Sequence, residues 1–357
     1  MELTLFATAY LLLLISLVNY YTIRIPKNSA LIQSSVTILL PVRNEESNIA
    51  QCVASLKSQS GVENLRFIVI NDQSTDRTAE FLTSAIAGDS RFTVLNTEEP
   101  RTGWLGKVSA LQSGYEAAEA EFIVTLDADV RLNPDALCRA INQISDLKLD
   151  FTSPYPRQEA KTLAEKLIQP LLHWSWMSTV ILRLAEKKPH PSTAVANGQF
   201  FIARKSALDA VGGFQSVQNQ ILDDIEIARS LIKSGFRGVV TEGAGIAHTR
   251  MYENFSEISQ GYGKSLHKAF GEKIGAVVAI AFIALTGIFP VIFALQGSLI
   301  ATIAFLIIAF TRALSALRAK SNPLYALLHP ISSALLIYLI AYSWRKRGSI
   351  QWKGRTV

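Results

Sequence analysis

The chain has 357 residues, 49% of them apolar and 18% charged, and a formal net charge of +6. That balance excludes a disordered segment and is too apolar for an ordinary soluble enzyme. Two distant cysteines, Cys52 and Cys138, make neither a disulfide framework nor a metal site. Basic residues gather beside apolar stretches, at Arg312, Arg318 and Lys320 and from Arg345 to Arg355. Such a rim suits anionic headgroups better than nucleic acid.

In chain order, Leu3–Val18 carries no charge. Met1-Glu2 lacks a basic leader, no small-residue cleavage site follows, and Arg24 and Lys27 lie downstream. The pattern predicts an uncleaved anchor over residues 1–23, with its downstream side in the cytoplasm. A polar linker follows. Ser35–Leu40 is then predicted as a strand ending at Pro41, Glu45–Ser58 as a helix and Leu65–Ile70 as a strand. Thr78–Ala87 reads as a helix, Phe92–Leu95 as a strand, Lys107–Ala118 as a helix and Phe122–Leu126 as a strand. Alternation of this kind predicts an α/β domain with a mostly parallel sheet, spanning about residues 34–249. Residues 161–188 mix leucine and tryptophan with lysine and arginine, as in an amphipathic interfacial helix or a soluble core helix. Residues 250–273 are a second interfacial candidate. Ile274–Thr311 is an uncharged run of 38 residues, enough for two crossings that turn near Gln296-Gly297, and Asn322–Ser343 is another of 22. Transmembrane helices are therefore expected over residues 274–343, with a basic tail at 344–357. Three C-terminal crossings would put that tail outside, against the positive-inside tendency, so Asn322–Ser343 with His329-Pro330 could be re-entrant.

Polar motifs fall just past the strand ends, where open α/β sheets bind ligands. Pro41-Val-Arg-Asn-Glu-Glu46 could wrap a base or merely cap a helix. Asn71-Asp-Gln-Ser-Thr-Asp76 could present Asp72 to a base N–H or form an Asx-type turn. Gly103-Trp-Leu-Gly-Lys107 is a glycine-punctuated loop entering a helix, suited to a phosphate although not a P-loop. Asp127-Ala-Asp129, closing a buried strand, can hold a hard divalent ion completed by substrate phosphates. Asp223-Asp224 is predicted to open a helix from Ile225 to Ser234. Acids there complement the helix dipole, or one serves as a general base. His248 could complete a metal shell, and Lys264 could neutralise a diphosphate or be a juxtamembrane cation.

Taken in order, these pieces resemble the family 2 glycosyltransferases of the GT-A fold, from Val36 to about Arg237. Gly212-Gly-Phe214 adds to the match. The resemblance implies a GT-A, Rossmann-like catalytic domain and a metal-dependent, inverting hexosyl transfer from a UDP-sugar. It implies that Asp72 meets the uracil beside the Pro41–Glu45 loop, which includes Arg43 and Asn44. It implies that Lys107 and Asp127 lie near the nucleotide phosphates, with Gly198, Gln199 and Lys264 as further donor-binding positions. Asp129, with Asp127 and His248, would manage Mg²⁺ or Mn²⁺. Asp224 would be the catalytic base, with Asp223 beside it. Within the family the chain is similar to bacterial enzymes for carotenoid and hopanoid-type lipids, such as diaponeurosporenoate glycosyltransferases. The supporting pieces are Gly103–Lys107, Asn197-Gly-Gln199, Arg250-Met-Tyr252 with Gly261–Lys264, and Trp352–Arg355.

That likeness implies a membrane lipid acceptor and a multi-pass enzyme of the cell membrane, with its catalytic domain in the cytoplasm. It calls for no nucleic acid and no obligate protein partner. The sequence departs from the common Asp-Asp-Gly-Ser and Glu-Asp motifs, and it lacks the Gln-x-x-Arg-Trp motif of processive synthases. A nucleotidyltransferase that makes the nucleotide-sugar, or a non-catalytic membrane scaffold, are the alternatives. The first would need a glycine- and arginine-rich loop where Pro41-Val-Arg-Asn stands.

Overall fold

The computed structural model describes residues 1–347, 351–353 and 355–356. Residues 348–350, 354 and 357 of the basic tail lie outside the described residues. The chain divides into two units. Residues 24–157 with 184–249 form an α/β unit, and residues 1–23, 158–183 and 250–357 form a helical one.

In the α/β unit, apolar runs without alternation become strands covered on both faces. Seven strands line up in the order Phe92–Asn96, Leu65–Asn71, Val36–Val42, Phe122–Leu126, Phe200–Arg204, Phe151–Tyr155, Gly238–Glu242. The first four are mutually parallel. Phe200–Arg204 runs antiparallel to both its neighbours, and Gly238–Glu242 is parallel to Phe151–Tyr155. One face packs through Ile38, Leu40, Val53 and Ile141. The other packs through Leu39, Ile70, Leu111 and Phe201.

Register positions the site. Val36–Val42 stays paired with Leu65–Asn71 as far as Val42↔Asn71. Its pairing with Phe122–Leu126 stops at Leu39↔Thr125. Pro41 has no N–H to offer a ladder and stands where that second pairing has ended. The two central strands therefore part at their carboxyl ends, at the point where the strand order reverses, which is where such sheets open a ligand crevice.

The predicted helix over Glu45–Ser58 begins later, at Ile49. Asn44 adopts a left-handed φ of 52°, and the Glu45 N–H turns away to Thr78 Oγ1 at 2.7 Å. Asn is among the few residues that accept that conformation cheaply.

In the helical unit, Glu2–Thr22, Lys273–Leu295, Leu299–Arg318 and Pro323–Arg345 are each long and apolar enough to cross a membrane. Their outward residues include Ile274, Val277, Leu295, Leu299 and Phe310, all exposed. The expected turn falls at Gln296–Ser298. Gly297 takes φ 92°, and the Ser298 hydroxyl accepts from the Ala301 N–H at 3.2 Å, starting the next helix. His329-Pro330 opens a continuous helix to Arg345, because Pro is tolerated in a first turn.

The stretch 161–188 is not one helix. Leu163–Thr179 and Leu182–Lys187 are separated at Val180-Ile181. Asn19 supplies the reason: its Nδ2 donates to the carbonyls of Met177 (2.9 Å) and Val180 (2.6 Å), and its Oδ1 accepts from Leu182 N (3.1 Å). Those bonds replace the helical ones at the break. Leu163–Thr179 is also packed inside the helical unit, with Ile168, Leu171 and Trp174 buried against the apolar helices. A capping box of Thr162 and Glu165 starts it, and Glu165 Oε1 also meets Arg250 Nε at 3.0 Å.

Candidate active site

Two loops at the crevice are joined side by side. Arg43 donates from Nη1 to the Asp72 carbonyl at 2.8 Å, and Asn44 N donates to Ser74 Oγ at 3.1 Å. In return, Thr75 N donates to Asn44 Oδ1 at 2.8 Å. Gln73, like Asn44, sits at positive φ (54°). Asp72 is buried, its N–H donating to Val42 O at 2.8 Å. Thr97 Oγ1 donates to Asp72 Oδ1 at 3.4 Å. Pro41, Arg43, Asn44, Glu45 and Asp72 thus lie along one edge of the sheet.

Asp127, Ala128 and Asp129 make a turn closed by Val130 N donating to Asp127 O at 3.1 Å. Arg131 clamps that turn. Its Nη1 donates to the carbonyls of Ala128 (2.8 Å) and Val130 (3.0 Å), and its Nη2 donates to Asn48 O and Oδ1, each at 3.1 Å. Lys107, in the first turn of helix Gly106–Glu116, reaches Asp127 Oδ1 at 2.7 Å.

Asp223 and Asp224 open helix Asp223–Lys233, with Glu226 also in its first turn. Asp224 is fixed by two backbone donors, Gly198 N to Oδ2 at 2.6 Å and Ile225 N to Oδ1 at 2.8 Å. Gly198 lies against it closely: a Cβ there would stand 3.2 Å from Asp224 Cβ. The next residue ties in the other acid pair, since Asp127 N donates to Gln199 O at 3.2 Å. Asn197-Gly198-Gln199 therefore staples both clusters. It is itself anchored on the sheet, where Asn197 N donates to Ser153 Oγ at 2.8 Å.

Charge joins the two clusters as well. Burial works against the Lys107 ammonium, but Asp127, Asp223 and Asp224 outweigh it and hold the group above its ordinary range. Burial, then the neighbouring Asp223, pushes the Asp224 carboxyl up to about 6; the Ile225 N–H, Lys107 and the Gly198 N–H pull the other way. Lys107 nonetheless keeps 39% of its side chain open and Asp127 keeps 30%. Groups surrounded by protein yet open to solvent describe the floor of a cleft.

His248 lies on the strand Ala247–Thr249, opposite Arg131 in its pairing with Val130–Leu132. Among the described residues, no three His, Cys, Asp or Glu side chains gather as a metal cluster. Asp127 and Asp129 supply two carboxylates on one turn. That donor set suits a hard divalent ion taking its remaining oxygens from a diphosphate and water. Lys264 belongs to the helical unit, on helix Phe255–Ala269. Sequence reasoning missed Ser153, Asn48 and Arg131 as supports. Ser153 had a signal: it is a hydroxyl inside the fully buried strand Phe151–Tyr155.

The Glycosyl transferase family 2 model matches residues 37–212. A 4,4'-diaponeurosporenoate glycosyltransferase of Staphylococcus aureus (strain MRSA252) is 26% identical, over 90% of this chain and 88% of its own length. One from Staphylococcus haemolyticus (strain JCSC1435) is also 26% identical, over 65% of this chain and 61% of its length. Among solved structures, the mannosyltransferase PcManGT from Pyrobaculum calidifontis, in complex with GDP-Man and Mn²⁺, superposes with a TM-score of 0.55 at 20% identity. That match covers 96% of this chain and 98% of that one. Residues 37–212 therefore carry a family 2 glycosyltransferase domain, and the α/β unit has the GT-A fold.

Proposed function

We propose that this protein is an inverting hexosyltransferase that moves a hexose from a UDP-sugar to a membrane lipid at the cytoplasmic face. The observation that carries it is the Asn197–Gln199 staple, which holds the Asp127 turn and the Asp224 carboxylate in one cleft with Lys107 between their charges. An inverting transfer needs such a pair of ends, one for the leaving diphosphate and one for the proton of the attacking hydroxyl.

The chain's residues divide the work. The edge formed by Pro41–Glu45 and Asp72 orients the nucleoside. Lys107 neutralises charge appearing on the departing diphosphate. Asp129 and Asp127 would hold Mg²⁺ or Mn²⁺; such an ion, when bound, adds Lewis-acid neutralisation of the same oxygens. Asp224 takes the acceptor's proton on a carboxylate raised towards the working pH, with Asp223 sustaining that shift. Four apolar helices would hold the enzyme where its acceptor is concentrated, an entropic contribution. The names of the staphylococcal relatives support a lipid acceptor of the carotenoid kind.

The test incubates membranes carrying the protein with labelled UDP-glucose, UDP-galactose or GDP-mannose and follows the label by mass spectrometry. The expected result is label in an organic-phase lipid from a UDP-sugar. Label only from GDP-mannose, or only in water-soluble product, would refute the proposal.

A further inference from the structure

Arg312 lies well inside helix Leu299–Arg318 and is 3% exposed. It has no carboxylate opposite it among the described residues. Among the described residues its one polar contact is Nη1 donating to His329 Nδ1 at 3.3 Å. The His329 ring can accept there only when its proton is on Nε2, and Nε2 faces Ser333 Oγ at 3.4 Å. Around this pair the helices build a polar layer. His173 Nδ1 meets Ser315 Oγ at 2.7 Å, Trp174 Nε1 donates to Thr311 Oγ1 at 2.9 Å, and Trp174 stands edge-on to the His329 ring at 4.9 Å. The buried Ser332 hydroxyl has no partner among the described residues. Helix Lys273–Gly287 seals one side, since a Cβ on Gly287 would stand 2.0 Å from Ser333 Oγ.

A guanidinium carries five donors and a permanent charge, and here one imidazole answers it. Burying an uncompensated cation is costly in any interior. In a segment fit to cross a membrane it marks a site where something else supplies the negative charge. Arg312 stands six residues before Arg318, about 9 Å along the axis from that helix end. The end is fixed by Arg318 donating from Nε to Tyr20 O at 2.7 Å and lying over the Tyr20 ring. A headgroup oxygen needs to dip only that far into a hydrocarbon core about 30 Å thick.

We infer that Arg312, with His329 and Ser332, forms an anion site within the helical unit that takes a phosphate or carboxylate group. A guanidinium grips either group with two parallel N–H bonds, which lysine cannot do. None of these three residues is among those assigned to the donor, and the site needs no particular sugar chemistry.

The experiment uses the full chain in nanodiscs of phosphatidylcholine, with or without phosphatidylglycerol, and a third arm of phosphatidylcholine plus inorganic phosphate. Melting temperature and lipid retained through detergent extraction are measured for wild type, Arg312→Gln and Arg312→Lys. Wild type should retain phosphatidylglycerol and melt higher with it. Arg312→Gln should weaken that retention about tenfold, as expected when a charge-assisted hydrogen bond is lost. Arg312→Lys should keep part of it. An Arg312-dependent rise with phosphate alone would also support the site and assign it to a free anion. A wild type indifferent to both anions overturns the inference, even if Arg312→Gln does not fold. So does an Arg312→Gln variant that retains phosphatidylglycerol as wild type does.

Discussion

Gly198→Ala tests the staple with the smallest possible change. Gly198 is not at positive φ, so alanine is not strained by its backbone. The new methyl would lie 3.2 Å from Asp224 Cβ and 3.4 Å from Oδ2, so the aspartate must yield by a few tenths of an ångström. The bond at risk, Gly198 N to Oδ2, is 2.6 Å long. A hydrogen bond to a charged group contributes roughly 1.5–3 kcal/mol, and losing about half of it corresponds to roughly a 4- to 13-fold effect. We therefore expect kcat to fall about tenfold with donor KM nearly unchanged, because the methyl disturbs the base. The lost N–H favoured the anion, so the acid limb of kcat/KM should also move to higher pH. The assay is initial rate of lipid glycosylation across pH, with donor saturation curves at each point. Activity within twofold of wild type together with an unmoved acid limb would refute the reasoning.

Asp224→Asn should abolish transfer by about a thousandfold or more while calorimetry still records donor binding, on the scale expected for a lost general base; unchanged turnover removes the base assignment. For wild type, the base works only when deprotonated, so kcat/KM should fall below about pH 6. Lys107→Met should move that limb upward, because the ammonium favours the Asp224 anion; a downward shift contradicts the charge map. Asp129→Ala, or chelation of wild type, should weaken donor binding more than tenfold, the range in which metal-site changes act; equal affinity with and without metal would count against the ion.

The first four strands were legible because apolar runs are local, and so Leu65–Asn71 and Phe122–Leu126 appear almost as the pattern predicts, whereas Phe151–Tyr155, Phe200–Arg204 and Gly238–Glu242 were not predicted. The Asp127-Ala-Asp129 and Asp223-Asp224 pairs were legible as chemistry for the same reason. What joins them was not. The Gly198 N–H meets Asp224 across 26 residues, and the Asp127 N–H meets the Gln199 carbonyl in the turn before strand Phe200–Arg204, contacts that no periodicity encodes. The break at Val180 depends on Asn19, a partner about 160 residues away. A boundary also differs at short range: the helix expected from Glu45 begins at Ile49, after a loop in which the Glu45 N–H meets Thr78.

The α/β unit is not one stretch of chain. It leaves off at Arg157 and resumes at Leu184, and the polypeptide between contributes Leu163–Thr179 to the apolar bundle. Asp127 precedes this excursion and Asp224 follows it. Removing all four apolar helices would therefore not by itself release a water-soluble catalyst, since Leu163–Thr179 would lose its packing neighbours and expose its apolar face. Solubilising the α/β unit would require replacing the excursion between Arg157 and Leu184 as well.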